Sequence, residues 1–349
     1  MKIYEWKMKF LTPAFLGNSE QKGQWRTPPI KALLRQWWRV AYAKKQDFKP
    51  DLQRMREEEG RLFGNAWLAG DFQKSKVRIR LDGWTEGKLT SWQPLPPSIY
   101  HPEVGRNIGS DLYLGYGPLE FRRRVGPQLK KNAAIQEGES ANLSIALQDN
   151  DNAIALLESA FWLMDRYGSV GGRSRNGWGS FHIEPQSDTA RAAVQKCVTP
   201  FRPWHDCLGM DWPHSIGEDQ RGALIWQTKP EADWKKVMEK LARIKIGLRT
   251  QFIFPNAQPL HPSPEQRHWL SYPVTNHDVI PWKGLGLRLP NSLRFKVRRR
   301  QDGNLYGVIF HVPCLPPPVF IPNQKVIKDI WSSVHGFLDG DNQLTRCPE

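Results

Sequence analysis

The sequence predicts an α+β chain of two ferredoxin-like units in tandem, interrupted by long loop insertions. Three observations predict it: segments that alternate apolar and charged residues, helices of 3.6-residue period between them, and recurrence of this order in both halves. The 349 residues suffice for two domains with their own cores, expected at 1–187 and 188–349. Periodicity alone leaves other α/β folds open.

Residues 2–10 alternate, with Tyr4, Trp6, Met8 and Phe10 on one side and Lys7 and Lys9 on the other, as a half-exposed strand does. A helix follows over 30–42, with Thr27 as the expected N-cap and Pro28 at its first turn. Its period places Ile30, Leu33, Leu34, Trp37 and Ala41 on a packing face. Lys31, Arg35, Trp38, Arg39 and Tyr42 fall on a second face of cations and aromatics. The acidic run Glu57 to Glu59 reads as a solvated helix face. A strand is expected over 76–81, long loops or a thumb-like insertion over 94–127, and a strand over 141–147. The helix carrying Ile154, Leu157, Phe161 and Met164 should close at Gly168, before a strand over 179–184. After a linker near 185–215 the order recurs: strand 221–227, a helix opened by Pro230 and closed by Gly247, and strands over 293–298 and 305–312 around an Asp-Gly turn. A last helix is expected near 326–337.

Fifty Lys and Arg against 35 Asp and Glu give a formal charge of +15, so a polyanion is the natural partner. The charge is clustered. Residues 22–56 carry ten basic and two acidic residues, 121–136 five basic (among them Arg122, Arg123 and Arg124) and no acidic, and 288–300 six and none. Three patches suit a long ligand. No segment approaches the roughly 20 apolar residues of a membrane span, and the start of the chain alternates like a strand instead of resembling a signal peptide, so no membrane partner and a cytoplasmic location are expected. The four cysteines lack paired C-x-x-C spacing; Cys197, His205 and Cys207 leave a metal site open, but neither metal nor cofactor is predicted.

The stretch 168–181 threads five glycines with Arg173 and Arg175. Glycines let backbone N–H groups turn toward an anion, and guanidinium forks fit phosphate oxygens. With the basic, aromatic helix face, this is the equipment for single-stranded RNA: phosphate contacts for affinity, aromatics for stacking.

Three segments in this order resemble the RAMP proteins of CRISPR type III effector complexes, and most closely the subunit-one family of the type III-B Cmr complexes. They are Thr12-Pro-Ala-Phe-Leu-Gly17, Arg26-Thr-Pro-Pro-Ile-Lys-Ala-Leu-Leu-Arg-Gln-Trp-Trp-Arg39 and Gly171-Gly-Arg-Ser-Arg-Asn-Gly-Trp-Gly179; Tyr113-Leu-Gly-Tyr-Gly117 and the hairpin 293–312 resemble the family more weakly. The resemblance implies two RRM-type domains and a non-catalytic RNA-binding subunit that holds guide RNA near its 3′ end and caps a filament of other RAMP subunits, with guide and target RNA as partners. Carried over, Lys31, Arg35, Trp38 and Arg39 with Gly171, Gly172, Arg173, Ser174, Arg175 and Asn176 line one groove, and Trp178 joins Trp38 as a stacking residue. Pro28-Pro29 and Ala32 depart from the family, which tends to a small polar residue and a glycine there. The alternatives are a metal-independent endoribonuclease, for which His101 and His182 are the histidines to consider, and a general single-stranded RNA-binding protein.

Overall fold

The computed structural model describes residues 1–349 except 67–71, 132–133, 149, 196, 256–257 and 348–349. Strand β1 (Lys2–Phe10) buries the alternate side chains Tyr4, Trp6, Met8 and Phe10, as its pattern requires. Helix α1 (Thr27–Lys45) and helix α2 (Leu52–Phe63) lead to β2 (Arg78–Leu81). Strand β3 (Ser140–Leu147), helix α3 (Asp151–Tyr167) and strand β4 (Phe181–Pro185) follow. The sheet order is β2-β3-β1-β4 with every neighbour antiparallel; Tyr4 faces Ile145 and Met8 faces Ile183 across the ladder.

The second half repeats the plan with β5 (Ile225–Thr228), α4 (Trp234–Thr250), β6 (Leu293–Arg299), β7 (Leu305–His311), α5 (Gln324–Gly340) and β8 (Leu344–Arg346). Its sheet order is β6-β7-β5-β8, again antiparallel throughout. Each half thus presents strand–helix–strand–strand–helix–strand with the first and third strands side by side in the centre. Between β2 and β3 lie the hairpins Ile99–His101/Arg106–Ile108 and Leu119–Arg122/Gly126–Leu129 and a short helix Ser110–Gly115, in the stretch where long loops or a thumb-like insertion are expected.

Three helix ends differ from the sequence reading. Thr27 is already helical and Arg26 stands at the N-cap with no side-chain bond, while prolines fill the first turn, whose N–H groups need no intrahelical partner. Helix α4 starts at Trp234, capped by Asp233 accepting from Lys235 N, because a carboxylate satisfies an orphan amide and Pro230 cannot. Gly247 lies inside that helix; a Cβ there would come within 2.5 Å of Phe337 Cζ, so the glycine permits close approach of α5.

The halves share their cores: Tyr306, Val308 and Phe310 pack with the first sheet's residues, and Leu11, Phe15 and Trp178 with the second's. Polar bonds cross the same seam. Phe295 N donates to Arg175 O at 3.0 Å, Val297 N to Ser180 Oγ at 2.9 Å, and Lys296 Nζ to Gly168 O at 2.6 Å and to Asp165 O. Lys296, wholly buried, therefore caps the C-terminal carbonyls of α3 from β6, where a cation also meets the negative end of the helix dipole.

The second core holds a neutral histidine pair. His311 Nδ1 and His335 Nε2 lie 2.9 Å apart, and His311 Nε2 lies 3.0 Å from Ser292 Oγ. Burial pushes both imidazoles down, His335 to about 3 although Asp219 pulls the other way; burial also takes His268 to about 4. These folded-state values lie below that of an unfolded histidine, so stability is fully present above about pH 6.5 and is lost as pH falls, when the unfolded chain gains protons that the folded one refuses. At about pH 5 His335 and His268 each cost about 2 kcal/mol. The melting temperature should fall between about pH 7.5 and about pH 5, and His335→Gln should flatten that dependence.

Candidate nucleic-acid interface

On α1, Lys31 is half-buried, and burial first and Arg35 second lower its pKa. Arg35 and Arg39 are engaged within the fold, although their side chains remain 36% and 46% exposed. Both grip Glu59 of α2, Arg35 Nε donating to Oε1 at 2.7 Å and Arg39 Nη2 to Oε1 at 2.9 Å, and Glu59 is only 4% exposed. Trp38 is 1% exposed, with ring centroids 5.0 Å from Tyr42 and 6.1 Å from Phe63. The expected RNA face of α1 is therefore the surface on which α2 packs: Trp38 is a core residue instead of a stacking platform, and the two arginines neutralise a buried carboxylate. Replacing Arg35 and Arg39 together with alanine should orphan Glu59 and cost about 2 kcal/mol, less than a fully buried pair because both guanidinium groups are partly solvated. Thermal unfolding checks it, and restoring the melt with Glu59→Gln in the same chain identifies the orphaned charge as the cause.

The glycine loop is a wedge between the halves. Gly179 has φ +63, and a Cβ would sit 1.8 Å from Val170 O; Gly171 has φ +97, with a Cβ 2.7 Å from Phe15 O. These two positions need glycine for packing. The amides of Gly172, Asn176, Gly177 and Gly179 are already donated to Phe15, Arg173, Ser174 and Pro13 carbonyls. Thr12 Oγ1 donates to Gly177 O at 2.8 Å and accepts from Ser180 N at 3.0 Å. Asn176 is consumed in the fold: its Nδ2 donates to Leu114 O at 2.8 Å and its Oδ1 accepts from Lys245 Nζ at 2.6 Å. Trp178 is fully buried among Phe15, Trp92 and Trp234, so it too is corrected from stacking residue to core. What remains for an anion is narrower than the sequence suggested. The consecutive amides of Arg173, Ser174 and Arg175 have no acceptor among the described residues, and Arg173 holds φ +57, the backbone reversal that turns neighbouring N–H groups the same way.

Several basic side chains gather around this tip. Arg173, whose Nε donates to Tyr116 O, has its pKa lowered by burial and by Arg288; Arg175 is lowered by burial. Lys245 is lowered far by burial, then by Arg249 and Arg173. Arg294, 7% exposed, is lowered by burial and by Arg175; its Nη atoms reach Gln36 Oε1 at 2.8 Å when that amide is turned to accept, and its Nε has no partner. Its guanidinium lies 5.7 Å from the Trp37 ring. Among the described residues none of Arg173, Arg175, Lys245, Arg249 and Arg294 forms an ion pair. A protein interior ordinarily pairs its charges, and here five basic side chains gather without an ion pair among the described residues. Sequence reading found the loop arginines but missed Lys245, Arg249 and Arg294. Arg294 lies within the acid-free basic patch 288–300, whereas Lys245 and Arg249 lie outside every patch the charge distribution marks.

Arg122, Arg123 and Arg124 stand at the tip of the hairpin 119–129, exposed, with Arg122 Nε donating to Glu120 at 2.8 Å and Arg124 at φ +71. The hairpin follows directly on Tyr116, Gly117 and Pro118, which sit against Arg173 and Gly172 of the loop. His101 is buried, and burial lowers its pKa; His182 Nδ1 lies 3.3 Å from Asp165 Oδ1. Cys207 Sγ sits 3.1 Å from Ser215 Oγ and Cys197 Sγ 3.2 Å from Ala193 O; among the described residues no three His, Cys, Asp or Glu side chains are placed to hold a metal ion. No helix among those residues is long and apolar enough to cross a membrane.

The first sheet, the Thr12 turn and the glycine loop coincide with a known family. The RAMP superfamily model matches residues 7–182, half of the chain, and the chain belongs to that superfamily. No curated protein sequence matches it. Among solved structures it is similar to Cmr1 from Pyrococcus furiosus in its apo form: 16% identity, 99% of this chain and 98% of that chain, TM-score 0.52, which shows a shared fold. A chain of the type III-B Cmr-beta complex bound to cognate target RNA is 13% identical over 96% of this chain and 100% of that one, TM-score 0.49. A chain of a type IV-B CRISPR complex is 11% identical over 54% and 91%, TM-score 0.32.

Proposed function

We propose that the protein is the RNA-binding RAMP subunit of a type III-B CRISPR effector complex, of the Cmr1 kind, holding guide RNA near its 3′ end at one end of a filament of related subunits without cutting it. The observation that carries this reading is the cluster of cations around the glycine-loop tip, the exposed Arg173, the partly buried Arg175, Lys245 and Arg249 and the buried Arg294, none of them in an ion pair among the described residues. Such a track matches phosphates and is indifferent to base sequence, which suits a protein that accepts any guide. Lys31, Ser174 and the hairpin arginines Arg122, Arg123 and Arg124 extend it. Target RNA and neighbouring RAMP subunits are the other partners of this reading, and the cytoplasm its place. The repeated strand order supports two ferredoxin-like units, 1–187 and 188–349, so that RNA would lie across their junction.

Titration of fluorescent single-stranded RNA against the purified protein at rising salt tests it. Affinity should fall steeply, by about 0.7 counterion for each phosphate neutralised, and vary little among unrelated sequences of equal length. A flat salt response, or strong preference for one sequence, would sink the reading; cleavage of the RNA during the titration, abolished by His182→Ala, would replace it with the endoribonuclease.

A further inference from the structure

Beyond the cation seam, β6 carries one more cation on the same side. Alternate residues of a strand share a face, so Arg294, Lys296 and Arg298 all look toward the first half, with Arg298 about 13 Å along from Arg294. Arg294 meets α1, Lys296 caps α3, and Arg298 stands at the mouth of an open cleft of about 200 Å³ between β1, α3, β4 and the helix Asp188–Gln195. That is below the about 300 Å³ at which pockets for drug-sized ligands begin, and suits one ring system. Its walls are aromatic and aliphatic: Trp6, Trp162 and Val194. The guanidinium of Arg166 lies 4.5 Å from the Trp162 ring at the rim. The acceptor is Asp165, whose Oδ1 takes Ile183 N at 2.8 Å and faces His182 Nδ1 at 3.3 Å, leaving Oδ2 with no partner among the described residues.

An apolar cleft, a carboxylate oxygen open to a donor, and two guanidinium groups beside it match the three parts of one nucleotide: a ring, an amino edge and a phosphate. We propose that this cleft takes up a single unstacked nucleotide of bound RNA, its base against Trp6 and Trp162, an exocyclic amino group toward Asp165, and its phosphates at Arg166 and Arg298. The site deepens the RNA-binding reading and rests on it. It gives the subunit one position of base preference, for amino-bearing bases over uracil, on a track otherwise blind to sequence.

Oligouridylates of equal length, with or without one central 2-aminopurine, are titrated against the wild type and the Val194→Trp, Trp162→Ala and Arg294→Met variants. Val194 is half-exposed, so a tryptophan there fills the cleft without entering the core. On the wild type the aminopurine oligomer should bind about tenfold or more tighter than the all-uridine one, the return from one charge-assisted hydrogen bond, and its emission should be quenched by the tryptophan wall. Val194→Trp and Trp162→Ala should bring it down to the affinity of the all-uridine oligomer, whereas Arg294→Met should weaken both oligomers in parallel. Equal affinities on the wild type, or an aminopurine advantage that survives Val194→Trp, overturns the proposal. If neither oligomer binds at low salt, the RNA reading is what fails. The cleft is then read with 2-aminopurine riboside monophosphate alone: binding lost in Val194→Trp supports a free nucleotide as its occupant, and no binding overturns it.

Discussion

Arg294→Met should make the protein more stable and a poorer RNA binder at once. The side chain is 7% exposed, has no carboxylate partner among the described residues, leaves Nε without a bond and lies near the like charge of Arg175. Gln36 and the Trp37 ring return only part of what desolvating a guanidinium costs. Replacing such a charge with an apolar side chain of similar length removes that cost, and buried ionic groups so replaced give about 1–4 kcal/mol of stability. A charge-assisted bond to a phosphate is worth about 1.5–3 kcal/mol, so RNA affinity should fall about tenfold or more, and the salt slope should flatten by about one phosphate's share. Thermal unfolding and RNA titration on the same variant read both signs. A destabilised variant that binds RNA normally would make Arg294 a structural residue and move the RNA track elsewhere.

The opposite signs separate two things the sequence presents alike, a cation kept for the fold and a cation kept for a ligand. Lys296, two residues along the same strand, is as buried as Arg294 but donates to the last carbonyls of α3. It belongs to the fold. Arg35 and Arg39 look like ligand-facing cations in a helical wheel and are fold residues too, because α2 brings Glu59 against them.

Most of the strands and helices were legible because their periodicity is local. The alternation of residues 2–10 and the apolar spacing of α3 do not depend on what lies across from them. The second face of α1 was misread because a helical wheel shows which residues share a side but not how many neighbours will cover the helix. The correcting signal lay in α2, where Met55, Glu59, Leu62 and Phe63 fall on one stripe; a glutamate inside an apolar stripe asks for a buried cationic partner. In the glycine loop the sequence showed an unusual backbone but not its cause. Half of that backbone serves packing, with Gly179 against Val170 and Gly171 against Phe15, and only the tip at Arg173 to Arg175 stays open. Arg294 and Lys245 were hidden for a third reason: they become buried only when the two halves meet, and nothing local announces that junction.

Trp178→Ala gives the sharpest contrast between a loop that binds and a loop that packs. As a base-stacking residue, Trp178 would be dispensable for folding, and its loss would remove about 1–3 kcal/mol of RNA affinity. In the structure its ring is wholly buried where the halves join, 5.2 Å from Phe15, 5.6 Å from Trp92 and 5.7 Å from Trp234 between centroids. These belong respectively to the Thr12 turn, the insertion after β2 and the start of α4. Truncation would open a cavity touching all three, and partial collapse cannot close it without moving the loop. A loss of about 3–5 kcal/mol of stability follows from the removed ring and the residual void. Trp178→Phe keeps the aromatic contacts and, since the indole Nε1 has no partner to lose, should recover most of it. RNA affinity measured on the folded fraction should change only as far as the loop tip is displaced. Normal stability with RNA affinity lost would return Trp178 to the surface and would require the loop to open on binding.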